Sequence, residues 1–79
     1  MTNPLPSTLS AAQVMDTYFL ETRAKLLEIA ATLDRVDRGR DLAALRGDPR
    51  LIFIHEALEV LQSAAPNRAE RILNLYSIA

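Results

Sequence analysis

The stretch of sequence that decides the fold runs from Ser10 to Val36 and reads SAAQVMDTYFLETRAKLLEIAATLDRV. It contains neither glycine nor proline, and its apolar residues recur at steps of three and four, the repeat of one helix face. We therefore predict a first helix of about 26 residues, N-capped by Ser7 or Ser10 and ending before a left-handed C-cap at Gly39. Its apolar face, the first stripe, is predicted to be core and consists of Met15, Phe19, Leu26, Ile29, Leu33 and Val36.

The same helix carries a second line of apolar residues. At about 100° per residue, this line lies roughly 140° to 180° from the axis of the first stripe. A surface helix of a monomer needs only one apolar stripe, so the second predicts a contact with another helix. The competing interpretation is that single exposed Leu and Ala residues are ordinary on a helix surface. We call this line the second stripe, and its members are the predicted interface residues Leu20, Ala24, Leu27 and Ala31.

The chain outside the first helix divides at its prolines and glycines. Residues 1–9 contain two prolines, which favour an extended backbone, so we expect a tail followed by a single helical domain over residues 10–79. After the first helix, the segment from Asp41 to Arg46 predicts one short helical turn. Asp41 is expected to cap this turn and Gly47 to end it.

Two shorter helices complete the predicted fold. Asp48 followed by Pro49 is a strong start signal, so the second helix should run from Pro49 to about Ala64. The third should begin at Pro66 and run to about Ser77. We predict an all-α fold in which the long helix packs antiparallel with the second and is closed by the short third helix. The first helix exceeds the second by about 16 Å, and this overhang predicts assembly into a dimeric helical bundle.

Composition narrows the classes of function. The chain has 79 residues, no cysteine and a net charge of −1. A chain of this length has a thin core, and without disulfides the common supplement is oligomerisation. The near-zero charge argues against a nucleic-acid partner. The longest apolar run, Leu51 to Ile54, is far shorter than the roughly 20 residues of a membrane span. Residues 1–10 lack the basic region of a secretory signal, so we expect a cytoplasmic protein.

One group of residues suggests chemistry. His55 and Glu59 stand four apart and therefore share a helix face, with Glu56 beside them. A dimer could add Glu21 and Glu28 of the first helix to these three as a metal site, whereas in one chain the three form a solvated helix face. The serines lie near predicted helix ends, and no glycine-rich phosphate loop is present. We therefore expect no enzymatic activity and no cofactor.

Arginines crowd the region between the first two helices. Aspartates in the same stretch nearly cancel their charge, so we predict a network of mutual ion pairs rather than an anion site. The arginines are Arg35, Arg38, Arg40, Arg46 and Arg50, and the aspartates are Asp34, Asp37, Asp41 and Asp48.

The stretch YFLETRAKLL from Tyr18 to Leu27, continued by Leu33, Asp34 and Arg35, resembles the long first helix of short uncharacterised bacterial all-helical proteins. The resemblance covers about a quarter of the chain and carries no catalytic signature. It implies a bacterial cytoplasmic setting and no particular activity. It also singles out Glu21 with Arg23, and Asp34 with Arg35, as ion-pairing positions in or near an interface, or as ordinary solvated residues.

The sequence thus predicts a small non-enzymatic helical module that acts through self-association or protein–protein interaction. One alternative is an accessory or regulatory subunit whose second stripe docks on a different protein. A less favoured alternative is a metal-binding helical bundle built by a dimer around His55, Glu56 and Glu59.

Overall fold

The structure is a computed structural model that describes residues 8–75, so most of the predicted tail and the predicted end of the third helix lie outside the described residues. Within this range the all-α prediction is confirmed, and no strand is present between residues 8 and 75. The helices are α1 (Ala11–Arg38), a 3₁₀ helix (Leu42–Leu45), α2 (Pro49–Gln62) and α3 (Arg68–Leu75).

A reciprocal pair of hydrogen bonds fixes the start of α1. The backbone N–H of Gln13 donates to Ser10 Oγ at 3.0 Å, and the backbone N–H of Ser10 donates to Gln13 Oε1 at 2.8 Å. Two donors that a helix start leaves unpaired are thereby satisfied. Of the two predicted caps, Ser10 is the one used.

The C-terminus of α1 differs from the prediction. Gly39 has φ −71° and ψ 157°, so the predicted left-handed C-cap is wrong. Its N–H donates to the carbonyl of Val36 at 3.1 Å, which closes the last turn with a tighter bond before the backbone becomes extended. A Cβ at position 39 would lie 3.3 Å from that carbonyl oxygen, so the absence of a side chain relieves crowding there.

The turn after α1 is the 3₁₀ helix, as predicted, but its cap is not the predicted one. Asp41 has φ 57° and makes no side-chain capping hydrogen bond. A capping residue needs an extended backbone, so the left-handed conformation of Asp41 explains the missing bond. Its carbonyl accepts the N–H of Ala44 at 2.9 Å instead. The turn ends before Gly47, whose φ of 82° is a conformation that glycine adopts most readily.

Asp48 caps α2 as predicted, with Pro49 at the first helical position. The end of α2 comes at Gln62, two residues before the predicted Ala64. The cause is Ser63, whose hydroxyl donates to the carbonyl of Val60 at 2.7 Å while its N–H donates to the same carbonyl at 3.1 Å. A serine can thus replace the helical continuation with local hydrogen bonds.

The third helix begins two residues later than predicted, at Arg68 rather than Pro66. Asn67 precedes it with φ 63°, a left-handed conformation that asparagine tolerates. Two arginines fasten the corner between α2 and α3: Arg68 donates to the Ser63 carbonyl at 3.0 and 2.7 Å, and Arg71 donates to Ser63 Oγ at 3.1 Å. These cations also complement the negative end of the α2 dipole.

Two compact units make up the chain, divided after Gly39. The described part of the first unit consists chiefly of α1, and the second contains the 3₁₀ helix, α2 and α3. Within the second unit α2 and α3 pack against each other. Their half-buried residues are Leu51, Phe53, Ile54, Ala57, Leu58, Val60, Arg71, Ile72 and Leu75. The predicted antiparallel packing of the first helix with the second stays a prediction.

We expect Gly47→Ala to destabilise the second unit by about 1 kcal/mol, because a Cβ in the left-handed region meets the preceding backbone. Nothing else lies within 4 Å of that Cβ, so the cost is purely conformational. Gly47→Asn is the matched control and should restore part of the loss, since asparagine tolerates this conformation. Thermal unfolding followed by circular dichroism measures both variants. Equal stability of wild type and Gly47→Ala would contradict the explanation.

Candidate functional site

The surface of α1 is the most conspicuous feature of the described chain. None of its 28 residues is buried. The first stripe, predicted to be core, is therefore not buried: Met15 is 60% exposed and Phe19 50% exposed, and only Leu33 and Val36 are half-buried. A helix satisfies its backbone hydrogen bonds internally but cannot bury its own outward-pointing side chains. α1 consequently presents apolar side chains on more than one face.

The second stripe is open along its whole length. Leu20 is 76% exposed, the largest exposed fraction among the large apolar residues of the described chain, and Leu27 is 53% exposed. Ala24 and Ala31, between and beyond them, are exposed as well. All four predicted interface residues thus lie on an accessible helix face, and their role as an interface stays a prediction.

Charged residues flank the second stripe, and most are unpaired. Lys25 Nζ lies 2.9 Å from Glu21 Oε2, in a pair separated by one helical turn. The hydrogen bond from Lys25 lowers the pKa of Glu21, and the same bond raises the pKa of Lys25. This is the one ion pair within α1. Five flanking residues of α1 make no ion pair within residues 8–75, namely Arg23, Glu28, Asp34, Arg35 and Asp37.

The predicted network of ion pairs in the arginine-rich region is wrong. Of its members, only Arg50 and Asp48 form an ion pair in the described chain, with Nη2 and Oδ2 2.8 Å apart. Arg50 Nε also donates to Asp48 Oδ1 at 3.0 Å. The reason is local: Asp48 is held as the cap of α2, and Arg50 lies two residues along the same turn. The remaining side chains extend into solvent, where exposed pairs contribute little.

Sequence reasoning missed an open apolar groove in the second unit, with a volume of about 540 Å³. The left-handed backbone at Gly47 turns the chain between the 3₁₀ helix and α2, which together form the walls. The signal that could have indicated the groove was the pair of leucines in the short turn, which no predicted surface used. Its lining includes Leu42, Leu45, Arg46, Leu51, Ile52 and His55.

The predicted metal ligands all lie on α2. His55, Glu56 and Glu59 are exposed. Between residues 8 and 75, no group of three or more His, Cys, Asp or Glu side chains is arranged to hold a metal ion. The site imagined for them needs residues from a second copy, so it stays a prediction about a dimer.

No protein-family model, curated protein or solved structure matches the chain. Among the helices of residues 8–75, none has both the length and the apolar character needed to cross a membrane.

The cap of α2 should withstand acid better than an ordinary aspartate would. The side-chain hydrogen bonds from Arg50, helped by its backbone N–H, lower the pKa of Asp48 to about 2 from an ordinary value of 3.8. A carboxyl whose pKa is lowered by folding contributes stability above the unfolded pKa and loses it as pH falls through the folded one. The contribution is therefore full above about pH 4 and disappears between about pH 4 and 2.

We expect the thermal midpoint of Asp48→Ala to lie below that of the wild type at neutral pH, and the difference to shrink from pH 4 to 2. Asp48→Asn is the control, because asparagine keeps the capping acceptor but loses the ion pair with Arg50. Circular dichroism melts across this range measure the effect. A difference that is independent of pH would show that the charge of Asp48 is irrelevant.

Proposed function

We propose that the protein is a small non-enzymatic helical module that self-associates through α1. The observation that carries the proposal is that none of the 28 residues of α1 is buried, although the helix bears two apolar stripes. Side chains of this size are stabilised by about 1.5–3 kcal/mol each when they leave water. A second copy of the chain offers an identical surface at the same concentration, which makes a symmetric contact the simplest solution.

The second stripe is the proposed contact surface. Leu20 and Leu27 supply large apolar side chains, and Ala24 and Ala31 allow the backbone of another helix to come near. The first stripe contacts the other helices of the proposed bundle. In this bundle the long helix packs antiparallel with α2 and is closed by α3. The assembled protein would then be a dimeric helical bundle in a bacterial cytoplasm, as the sequence predicts.

A second candidate is an accessory or regulatory subunit whose second stripe docks on a different protein. The open apolar groove of the second unit favours this idea, because it provides a further surface that a peptide or helix could contact. A metal-binding bundle built by a dimer around His55, Glu56 and Glu59 is a weaker candidate, supported only by their spacing on α2.

The molar mass in solution, measured by light scattering on a sizing column at several concentrations, tests self-association. We expect a mass of twice 8.8 kDa or a small multiple of it, approached as the concentration rises. A monomer at every concentration would overturn the proposal. Capture of a larger protein from the native host would then favour the accessory-subunit candidate, and stoichiometric transition metal in untagged protein would favour the metal-binding one.

Adjacent leucines provide a matched pair of variants. Leu26 and Leu27 are both 53% exposed, but Leu26 belongs to the first stripe and Leu27 to the second. We expect Leu27→Asp to weaken a dimer by about three orders of magnitude, since about 2 kcal/mol of burial is lost in each copy. Leu26→Asp, on the face that packs with α2 in the proposed bundle, should lower the thermal midpoint but keep the wild-type mass. Circular dichroism checks that both variants remain helical. Dissociation by Leu26→Asp with no effect of Leu27→Asp would assign the contact to the first stripe.

A further inference from the structure

We infer that two copies pair their α1 helices antiparallel along the second stripe, in one register that is set by charge. In this register the two-fold axis crosses the seam at the level of Ile29, a first-stripe residue that faces away from the seam. Glu21 of one copy then pairs with Arg35 of the second copy, and Arg23 with Asp34 and Asp37. The inference rests on the self-association proposed above and adds the direction, the register and the residues that determine them.

The charges form two flanks, one on each side of the second stripe. At about 100° per residue, Glu21, Glu28 and Arg35 lie roughly 50° to 90° to one side of its axis. Arg23, Asp34 and Asp37 lie roughly 50° to 110° to the other side. When two helices are related by a two-fold axis that reverses their direction, each flank meets the same flank of the other copy. The order of charges along one flank therefore decides the register.

Both flanks are self-complementary in that order. On the first flank an acid, Glu21, stands near the N-terminal end, and a base, Arg35, near the C-terminal end. On the second flank the order is reversed: Arg23 comes first, and Asp34 and Asp37 follow. An antiparallel pair brings the N-terminal part of each flank to the C-terminal part of its copy, so opposite charges meet on both sides.

The chain itself leaves these charges available. The side chains of Arg23, Asp34, Arg35 and Asp37 make no hydrogen bond or ion pair within residues 8–75. Glu21 pairs with Lys25, and both side chains are more than 60% exposed, so the carboxylate can accept a second donor. Exposed unpaired charges of alternating sign are a common way to fix partner and orientation of paired helices.

The axial positions match within one turn. The axis lies at the level of Ile29, so Glu21 is eight residues before it and Arg35 is six residues after it. Glu21 of one copy and Arg35 of the other are therefore offset by about 3 Å along the helix. Arg23 is six residues before the axis, and Asp34 and Asp37 are five and eight residues after it. Arg23 is therefore offset along the helix by about 1.5 Å from Asp34 of the other copy and by about 3 Å from Asp37. Arginine side chains are long enough to span these offsets.

In this register the centre of the seam is apolar, and towards its ends Ala24 lies level with Asp34, whose side chain lies roughly 50° to one side of the stripe axis. Leu27 of each copy lies level with Ala31 of the other, two residues on either side of the axis, so a large side chain faces a small one. Leu20 lies level with Arg38, whose methylene groups can cover it while the guanidinium stays in water. The overlap from Leu20 to Arg38 is about 28 Å long.

Other ways of pairing the same stripe place like charges together. If the axis lies between residues 25 and 26, Glu21 of each copy lies near Glu28 of the other, and Asp16 of each copy lies near Asp37 of the other. Each repulsive contact occurs twice because of the two-fold symmetry. A parallel pair brings the two different flanks together, which lets Arg23 meet Glu21, but it also sets Asp34 level with Asp34 of the other copy beside the seam. The register at Ile29 has one such clash, between the two Glu28 side chains, and each Lys25 lies about 4.5 Å along the helix from that residue. Antiparallel helix dipoles favour the same direction.

A charge exchange tests the pairing. Arg35→Glu alone and Glu21→Arg alone should each weaken the dimer about tenfold, because two attractive pairs become repulsive. The double variant should return to within about threefold of wild type, since the exchanged charges attract again. Arg40→Glu combined with Glu21→Arg is the matched control and should show no rescue, because Arg40 lies beyond the end of α1. Dissociation constants come from sedimentation equilibrium, with circular dichroism to verify helix content.

A distance measurement tests direction and register without altering any charge. The chain has no cysteine, so a single nitroxide can be attached at Thr17→Cys. The inferred register separates the two labels by about 36 Å along the helix, the alternative antiparallel register by about 25 Å, and a parallel pair by roughly 10 Å across it. Pulsed electron paramagnetic resonance distinguishes the three.

The outcomes separate the two proposals. The register is overturned if the charge-exchanged double variant shows no rescue, or if the labelled dimer gives distances near 25 or 10 Å. Self-association stands in both cases, because the protein is still a dimer. A wild-type protein that is monomeric at every concentration overturns self-association itself. Rescue together with a distance near 36 Å supports the register.

Discussion

A long helix can satisfy its own backbone but not its own side chains, and this constraint governs the rest of the structure. No residue interrupts α1 along its 28 residues, and the interior backbone N–H and C=O groups are hydrogen-bonded within the helix. The apolar side chains, in contrast, need surface from elsewhere. Folding of α1 therefore leaves apolar side chains exposed to water. We propose that association with another helix buries them.

The second unit partly buries its apolar side chains without another copy. Its two helices are short, and they pack against each other to half-bury one face of each. Asn67 has a positive φ and lies in the turn between these two helices, and Asp41 and Gly47, also with positive φ, turn the chain before α2. Arginines then reinforce the corner at Ser63 by donating to backbone and hydroxyl oxygens. Backbone geometry and hydrogen bonds thus define this unit as much as apolar burial does.

Much of the local structure could be predicted from the sequence. The all-α class, the caps at Ser10 and Asp48 and the break after α1 follow from residue types whose preferences act within a few positions. The errors at Gly39 and Ala64 have one cause: a nearby carbonyl or hydroxyl offered a competing hydrogen bond, and sequence patterns do not rank such alternatives. The error at Asp41 has another, because its backbone is left-handed and a cap needs an extended one.

The candidate surface was predictable only in outline. Periodicity places Leu20, Ala24, Leu27 and Ala31 on one face of α1, but periodicity does not tell how exposed a face is. The failure of the arginine network shows the same limit, because opposite charges that are close in sequence stay exposed and, apart from Arg50 and Asp48, form no ion pair within residues 8–75. The groove beside Gly47 depends on a backbone turn and had no periodic signal at all.

The exposed, unpaired arginines around Gly39 have a practical consequence for handling the protein. Arg38 and Arg40 flank the boundary between the two units, and both are exposed in a segment without regular helix after residue 38. Trypsin cleaves after arginines that it can reach in such segments. Arg68, by comparison, has its guanidinium engaged with the Ser63 carbonyl. Brief digestion should therefore cut the chain first between α1 and the second unit.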